Sequence, residues 1–503
     1  MSDKTHMHGD GESDSVIVPA KQPNKSGEPP AEAVEGRTLT KENMDQPNQY
    51  RTQKRKSWSS RLARVREAAR KDKKIRFTAL LHHVTVDVLR DSYYALKRGA
   101  APGVDGVTWQ EYGKDLEERL RNLQGRIHRG AYRALPSLRS WIPKPDGRQR
   151  PLGIAALEDK VVQHAVGRVL NQIWEEDFLG FSYGFRPGRS QHDALDALWV
   201  GITRKKVNWI LDLDIRSFFD QVRHDWMIKF VEHRVGDKRI IRLIQKWLKA
   251  GVMEQGRWFE TVEGTPQGSV ISPMLANLYL HFVLDLWVHQ WRHRQAKGDV
   301  IAVRYADDAV LGFQHRDEAE QFLEQLRERL AKFGLELHPE KTRLIEFGRY
   351  ATERRKARGE GKPETFDFLG FTHISGTTRK AGRFTIRRQT NRKRMTAKLK
   401  EIRAQLKVRR HESHVKTVKW LQSVVRGYFQ YYAIPDNQAR LEAFRQEVLR
   451  MWLDQLRRRS QRSCWNWERF MKRLGHFLRF VFSTHIPLCA STPNIQGKNR
   501  VRE

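Results

Sequence analysis

The stretch "VIAVRYADDAVLGFQ", residues 300–314, places two adjacent carboxylates, Asp307 and Asp308, between two apolar runs. Each run has the length and composition of a buried strand, so the stretch predicts a hairpin. Adjacent like charges at the turn of such a hairpin repel each other unless a positive group lies against them. Ordinary turn chemistry is the usual explanation of an Asp-Asp pair, and a second acidic stretch bears on whether it holds here.

That second stretch, "NWILDLDIRSFFD" at residues 208–220, also has the pattern of a strand. Asp212 and Asp214 are two residues apart and therefore share one face of the strand, with apolar residues on the other. Three carboxylates gathered from two strands form a hard-oxygen site of the kind that binds Mg²⁺. Two ions held by shared carboxylates can activate an attacking hydroxyl and stabilise a leaving pyrophosphate, which is the chemistry of nucleotidyl transfer.

The composition favours a polyanionic partner. The 503 residues include 94 Lys and Arg against 59 Asp and Glu, a net charge of +35. This excess goes beyond what solubility requires and favours nucleic acid. The two cysteines, Cys464 and Cys489, cannot build a disulfide framework or a zinc ribbon, and no apolar run has the length of a membrane span. We therefore expect an intracellular protein that has no membrane partner.

Shifts in composition divide the chain into five parts. Residues 1–55 are poor in aromatics and rich in Pro, Gly, Ser and Glu, which predicts a disordered tail. Residues 56–125 predict a basic helical extension, and residues 126–375 alternate strand-length runs with helices, which predicts an α+β domain. From residue 383 the strand signals stop, so we expect an all-helical domain over 383–460, followed over 461–503 by a basic tail that contacts DNA. Residues 383–503 hold 29 basic and 8 acidic residues, a net charge of +21.

Six sequence blocks carry a resemblance to a known family. The quartet Tyr305 to Asp308, preceded about 90 residues earlier by Asp214 with an aromatic residue five positions later, resembles the palm of reverse transcriptases. The other blocks appear in the order of that family and together cover most of residues 78–375. They are "SWIPKPDGRQRPLGI" at 140, "FLGFSYGFRPGRS" at 178, "EGTPQGSVISPMLANLYL" at 263, "FGLELHPEKTRLI" at 333 and "FDFLGFTH" at 366.

The resemblance implies an RNA-directed DNA polymerase with a right-hand polymerase fold. Fingers and palm would occupy residues 126–375, and an all-helical thumb or maturase domain would follow. The resemblance assigns metal binding to Asp214, Asp307 and Asp308, with the backbone carbonyl of Ile215 as a further ligand, in a site for two Mg²⁺ ions. Asp212 has no matching role, and we expect it to be structural.

Contacts to the incoming deoxynucleotide are also implied by the resemblance. Lys144 and Arg150, on a short hairpin, would close over its triphosphate. Lys341 would protonate the leaving pyrophosphate, and Gln267 would contact nucleotide or template without reading one particular base. Phe219 would exclude a ribose 2′-hydroxyl. An ordinary core position for Phe219 and a solvated Lys341 are the alternatives.

Among reverse transcriptases, those encoded by group II introns resemble the chain most. The similarity lies in "FTALLHHVTVDVLRDSYYALKRGAAPGVDGVTW", in "QGSVISP" and in "LQSVVRGYFQYYAIPDNQARLEAF", which resembles the maturase region that binds intron RNA. Arg426 and Tyr428 in the last segment offer a cation beside a stacking ring, although helical spacing also puts Tyr428 on the apolar face. Arg186 and Arg189, in "YGFRPGRS", have a composition suited to a sugar-phosphate backbone.

The sequence thus predicts a dual protein, which copies RNA into DNA and also binds its host group II intron RNA to assist splicing. It would support intron mobility by target-primed reverse transcription, with an RNA template, a DNA primer or target and dNTPs as partners, in a nucleoid-associated ribonucleoprotein of the bacterial cytoplasm. We expect the C-terminal Cys- and His-rich endonuclease domain of fuller family members to be absent. The alternatives are an RNA chaperone with a non-essential polymerase site and a free-standing reverse transcriptase in phage defence.

Overall fold

The computed structural model describes residues 49–143, 149–265, 267–378, 382–459 and 465–475. The chain divides into two units, one of which ends at Gly348 while the other begins at Arg349. Each unit combines helices with sheet that is mainly antiparallel. The mixed α and β character that the sequence predicts is therefore confirmed, whereas the predicted domain boundaries stay predictions.

The first unit contains twelve α-helices among its described residues. They are α1 (Gln49–Lys71), α2 (Val86–Ala95), α3 (Trp109–Tyr112), α4 (Leu116–His128), α5 (Leu157–Asp177), α6 (Gln191–Arg204), α7 (Phe218–Gln221), α8 (His224–Arg234), α9 (Lys238–Lys249), α10 (Ser272–Leu280), α11 (Leu286–Arg294) and α12 (Arg316–Ala331). A 3₁₀ turn spans Leu81–His83, and a π-helical turn, His281–Asp285, joins α10 to α11 without a break. Helix α5 is apolar on several sides and packs against α1, α2 and α10, so it lies in the core of this unit.

Two sheets accompany these helices. Their strands are β1 (Ser137–Pro143), β2 (Gln149–Ile154), β3 (Trp209–Leu213), β4 (Val252–Glu254), β5 (Arg257–Phe259), β6 (Val300–Tyr305), β7 (Asp308–Phe313) and β8 (Arg343–Glu346). One sheet has the order β2-β1-β4-β5, and the other, which we call the central sheet, has the order β6-β7-β3-β8.

The central sheet confirms the strands predicted from the two acidic stretches. Strands β6 and β7 form the predicted hairpin, in which Tyr305 pairs with Asp308, and β3 pairs with β7 on one side and β8 on the other. All three strands bury most of their side chains because they are rich in Val, Ile and Leu. The hairpin turn and the end of β3 therefore meet at one edge of a buried sheet.

The second unit contains a small sheet and a set of longer helices. The elements are α13 (Ala351–Ala357), β9 (Phe366–Phe368), β10 (Phe371–Thr377), β11 (Phe384–Thr390), α14 (Arg392–Val408), α15 (His414–Tyr432), α16 (Gln438–Arg457) and α17 (Trp467–Phe470). The strands have the order β11-β10-β9. Buried Asn437 joins sheet to helices, since its side chain bonds the backbone and hydroxyl of Thr390 and the carbonyl of Tyr432.

One prediction about this unit was wrong. The chain does not become all-helical at residue 383, because β11 pairs with β10 along its whole length. Ile386, Arg388 and Thr390 alternate as the buried positions of β11. An arginine and a threonine at buried positions hide the period-two apolar pattern, so no strand is predicted here from the pattern.

Other predictions fall at the edges of the described residues. Residues 1–48 of the predicted disordered tail lie outside them, and α1 begins at Gln49, within the stretch assigned to that tail. Of the predicted basic tail over 461–503, only residues 465–475 are described. In the part of the chain that the structure describes, no helix has both the length and the apolar character needed to cross a bilayer.

Candidate active site

The turn between β6 and β7 consists of two residues, Ala306 and Asp307. Ala306 has a φ of +57°, in the left-handed region. Two-residue hairpins of this kind usually have glycine at that position, since a side chain there costs roughly 1–2 kcal/mol. Some contact must therefore hold the alanine in place.

Two neighbours hold the turn from either side. Arg304, which is buried, donates a hydrogen bond from Nη1 to the carbonyl oxygen of Ala306 at 2.7 Å. Gly184 lies so close that a Cβ added to it would be 2.2 Å from the Ala306 nitrogen. Gly184 therefore allows a close approach to the turn. The backbone of Ala306 is held on one side by Gly184 and on the other by the Arg304 side chain.

The register of the central sheet brings β3 to the same point. Leu213 pairs with Ala309, so the continuation of β3 places Asp214 opposite Asp308 and Ile215 opposite Asp307. Beyond the end of β3, the backbone of Asp214 and Arg216 bonds residues 336–338, on the side away from β7. Asp214 C=O accepts from His338 N–H, and Arg216 N–H donates to the Glu336 carbonyl. In an antiparallel ladder this pattern turns the carbonyl of Ile215 away from residue 337 and toward the β7 side.

The carboxylates of the two strands interact electrostatically. Burial raises the pKa of Asp307 above its ordinary value, and the charge of Asp214 raises it further. Arg150, in β2, acts in the opposite direction on the same carboxyl group. Asp307 is half-buried, whereas Asp308, at the start of β7, is exposed. The turn thus directs one carboxylate inward, where its charge is costly without a cation.

Asp214 has a cationic partner in this structure. Lys341 Nζ lies 2.9 Å from Asp214 Oδ2. The side chains of Asp214 and Lys341 are 32% and 49% exposed, so both remain accessible to a ligand. Sequence reasoning expected Lys341 at the leaving group, and the structure brings it to the carboxylate cluster.

The donor set suits a hard divalent cation. Among the described residues, no group of three or more His, Cys, Asp or Glu side chains is arranged to hold a metal ion, so Asp308 is not gathered with Asp214 and Asp307 into a preformed cage. Mg²⁺ is commonly bound by one or two carboxylates together with substrate phosphates, and does not need such a cage. Asp214 and Asp307, with the carbonyl of Ile215 turned toward them, fit that pattern.

The predicted nucleotide contacts are only partly described. Lys144 lies outside the described residues. Gln267 accepts a bond from Gly153 N–H at 2.6 Å through its backbone carbonyl, which ties its loop to β2. Phe219 is half-buried, with its ring 5.3 Å from that of Phe218, and its carbonyl accepts from Thr265.

The structure corrects the RNA-binding prediction for Arg186. Its side chain is 3% exposed and donates to Glu175 and to the carbonyls of Leu179 and Ser182. A guanidinium enclosed in this way cannot contact RNA, and it instead fixes the loop that carries Gly184. Arg189 is half-buried and also bonds the loop backbone, so an RNA contact by Arg189 stays a prediction.

Tyr428 also requires correction. It is buried in the second unit, and its ring stacks on Phe444 with centroids 3.7 Å apart and an interplanar angle of 8°. The core alternative is therefore right for this tyrosine, because α15 and α16 use its ring to pack together. Arg426, two residues earlier on α15, is exposed, and its RNA contact stays a prediction.

Sequence reasoning missed the groups that hold the site. Arg304 lies inside the apolar run that precedes Asp307, and the sequence-based prediction assigned it no role. Gly184 had no role in the sequence-based prediction. The signal for Arg304 was available in the sequence, since a charge within a buried strand requires a partner.

Comparison with known proteins agrees with this geometry. Residues 142–373 match the family model described as reverse transcriptase (RNA-dependent DNA polymerase). The chain is 36% identical over 244 residues to Protein YkfC of Escherichia coli strain K12, covering 43% of this chain and 64% of that protein. It is 34% identical over 216 residues to the group II intron-encoded protein LtrA of Lactococcus lactis subsp. cremoris, covering 42% and 36% respectively.

A fungal protein is also similar to the chain. The chain is 42% identical over 146 residues to an uncharacterized 91 kDa protein in the cob intron of Schizosaccharomyces pombe, covering 29% of this chain and 18% of that protein. The resemblance to group II intron reverse transcriptases is confirmed by these matches. The chain spans between about a third and two thirds of the length of the bacterial relatives.

The contact between Gly184 and the turn predicts the effect of one methyl group. Gly184→Ala should lower the free energy of unfolding by about 1–3 kcal/mol, because the Cβ must push the Ala306 backbone aside. Gly167→Ala, in α5, is the matched control, since a Cβ there meets nothing within 4 Å. It should leave stability unchanged or raise it by about 0.5–1 kcal/mol. Urea unfolding of both variants measures the difference, and equal effects would contradict the close approach.

Proposed function

We propose that this relative of group II intron-encoded reverse transcriptases is an RNA-directed DNA polymerase that also binds its intron RNA and assists its splicing. The observation that carries the proposal is the convergence of Asp214 and Asp307 at one edge of the central sheet, within a segment that matches the reverse transcriptase family. The substrates would be dNTPs, an RNA template and a DNA primer.

In the proposed arrangement, the two units correspond to parts of a right-hand polymerase. The central sheet would be the palm, the β1–β2 hairpin part of the fingers, and the helices of the second unit the thumb and maturase region. Support comes from the position of the carboxylates on the central sheet and from Arg150 on β2. The predicted fingers and palm at 126–375 belong to this proposal, and the thumb would consist of the helices that follow β11.

The carboxylates Asp214, Asp307 and Asp308 and the carbonyl of Ile215 would hold two Mg²⁺ ions. When bound, these ions would activate the primer 3′-hydroxyl and stabilise the leaving pyrophosphate. Arg150 would neutralise phosphate charge, and its position near Asp307, whose pKa it lowers, supports this role. Such positioning and charge neutralisation are most of what phosphoryl transfer requires of the protein.

Two further side chains would govern the substrate. Lys341 neutralises Asp214 in this structure, and its ammonium group can donate a proton to a leaving pyrophosphate. Phe219 is fixed through its backbone bond to Thr265, which would let its ring exclude a ribose 2′-hydroxyl. Gln267, tied to β2, would support the template or nucleotide.

Intron RNA binding would rest mainly on charge. Residues 383–503 carry a net charge of +21, and exposed basic side chains such as Arg426 on α15 are available to phosphates. Binding of this kind releases counterions and weakens steeply with salt. Splicing chemistry itself would remain with the RNA.

Removing the turn carboxylates should separate the two activities. Asp307→Ala combined with Asp308→Ala should reduce primer extension on an RNA template by more than about 100-fold, since metal ions supply several kcal/mol to such reactions. Affinity for intron RNA and assisted splicing should remain. Asp317→Ala, at an exposed position of α12, is the control and should leave both unchanged. Unaltered primer extension by the double variant would contradict the polymerase assignment.

The RNA surface has its own test. Arg426→Ala should reduce the slope of log affinity against log salt for intron RNA by about 1, without changing primer extension on a short template. Arg327→Ala, an exposed arginine of α12, serves as the matched control and should not change the slope. Filter binding over a salt series gives both values. Identical slopes for wild type and Arg426→Ala would exclude a phosphate contact there.

A further inference from the structure

Arg304 makes an unusually complete set of contacts for a buried cation. Its Nε and Nη2 donate to Asp285 Oδ1 at 2.6 Å and Oδ2 at 2.5 Å, and Nη2 also donates to Ser182 Oγ at 2.7 Å. Its Nη1 donates to Asn277 Oδ1 at 3.1 Å and to the Ala306 carbonyl at 2.7 Å. A guanidinium has five N–H donors, and each of them has an acceptor here.

Stability alone does not account for this group. A buried ion pair costs desolvation energy, and apolar side chains of similar volume are often as stabilising. Arg304 and Asp285 are 1% and 0% exposed, on an otherwise apolar strand and an otherwise largely apolar helix. What an apolar pair could not supply is the fifth hydrogen bond, to the carbonyl of Ala306.

We propose that Arg304 is a positioning residue that acts through the Ala306 backbone to aim the carboxylate of Asp307 toward Asp214. Four of its hydrogen bonds fix the guanidinium plane, and the fifth holds Ala306 in its left-handed conformation. Asp285, the last residue of the π-helical turn, supplies the counter-charge. The inference rests on the proposed function only where it predicts that a misplaced Asp307 carboxylate slows nucleotide addition. The contacts of Arg304 with the turn do not depend on that function.

Gly184 contacts the turn from the opposite side and belongs to the same hydrogen-bonded network. Asn277 donates from Nδ2 to the Gly184 carbonyl at 2.7 Å while its Oδ1 accepts from Arg304. The same amide therefore links the arginine to the loop that lies against the Ala306 nitrogen. Because both sides of the turn depend on one hydrogen-bonded network, loss of the arginine should release the turn rather than unfold the sheet.

The first test removes both charges together, so that no unpaired ion stays buried. Arg304→Met with Asp285→Asn should lower kcat for nucleotide addition by about 100-fold, because a shift of about 1 Å at a reacting group has that effect. The KM for dNTP should change little, since Arg150 and Lys341 are untouched. The matched control is Arg234→Met with Asp177→Asn, a buried pair that anchors α1 and has no bond to the turn. The control should lower stability and leave kcat unchanged at a temperature where it is folded.

Rescue distinguishes positioning from a general structural role. Adding Ala306→Gly to the Arg304→Met, Asp285→Asn variant should recover about tenfold in kcat, because glycine adopts a positive φ without steric cost. A merely destabilised protein would not recover, since glycine adds no packing. Where the double charge variant does not fold, Arg304→Lys with and without Ala306→Gly gives the same comparison. Absence of rescue in the folded background overturns the proposal.

Hydrogen exchange gives a readout that does not require polymerase activity. In the peptide 300–313, the amides of the turn should exchange faster in the Arg304→Met, Asp285→Asn variant than in the wild-type protein. If the wild-type protein synthesises no DNA, the proposed function is refuted. The exchange measurement would still decide whether Arg304 holds the turn. Unchanged exchange at the turn in the charge-free variant overturns the positioning claim.

Discussion

The left-handed conformation of Ala306, held by the guanidinium of Arg304, is the constraint on which the candidate site depends. A two-residue turn fixes the register of β6 against β7, and that register in turn sets which residues of β3 lie beside the turn. A slip of one residue would turn each side chain of β7 to the opposite face of the sheet. Asp307 would then no longer face Asp214, and the carboxylates would not converge.

The convergence has an electrostatic consequence. Burial raises the pKa of Asp307, and the charge of Asp214 raises it further. Lys341 offsets the charge of Asp214, and Arg150 acts on Asp307 from a strand of the other sheet. Positive charge thus surrounds a pair that is costly by itself, and the same pair is suited to divalent cations and to triphosphate. The charge of Arg304, which is paired with Asp285, also lowers the pKa of Asp307.

Much of the central sheet could be predicted from the sequence. Strands β3, β6 and β7 are runs of Val, Ile and Leu of strand length, and such runs have few other stable placements. Carboxylates in buried strands need partners, which drew attention to both acidic stretches, and the family resemblance then selected Asp214, Asp307 and Asp308. The strand predictions are confirmed because local pattern and chemistry coincide there, whereas metal binding by the three carboxylates stays a prediction.

Other features depend on partners distant in sequence. Arg186 and Tyr428 have the composition of RNA-binding residues, but their acceptors and stacking partner, Glu175 and Phe444, become neighbours only on folding. The contact of Arg304 with Asp285 depends on a π-helical turn that no apolar period reveals. Local pattern therefore predicts which residues are unusual, and only the fold decides whether such a residue faces a ligand or the core.

The central claim is that the turn and the end of β3 together hold the cations of nucleotidyl transfer. The most direct measurement is anomalous diffraction from crystals of the full chain with Mn²⁺, RNA template, DNA primer and dNTP. The account predicts an anomalous peak within about 2.0–2.6 Å of carboxylate oxygens of both Asp214 and Asp307. Lys341 should then have moved away from Asp214. A retained Lys341–Asp214 pair, with no peak between the two carboxylates, would contradict the account.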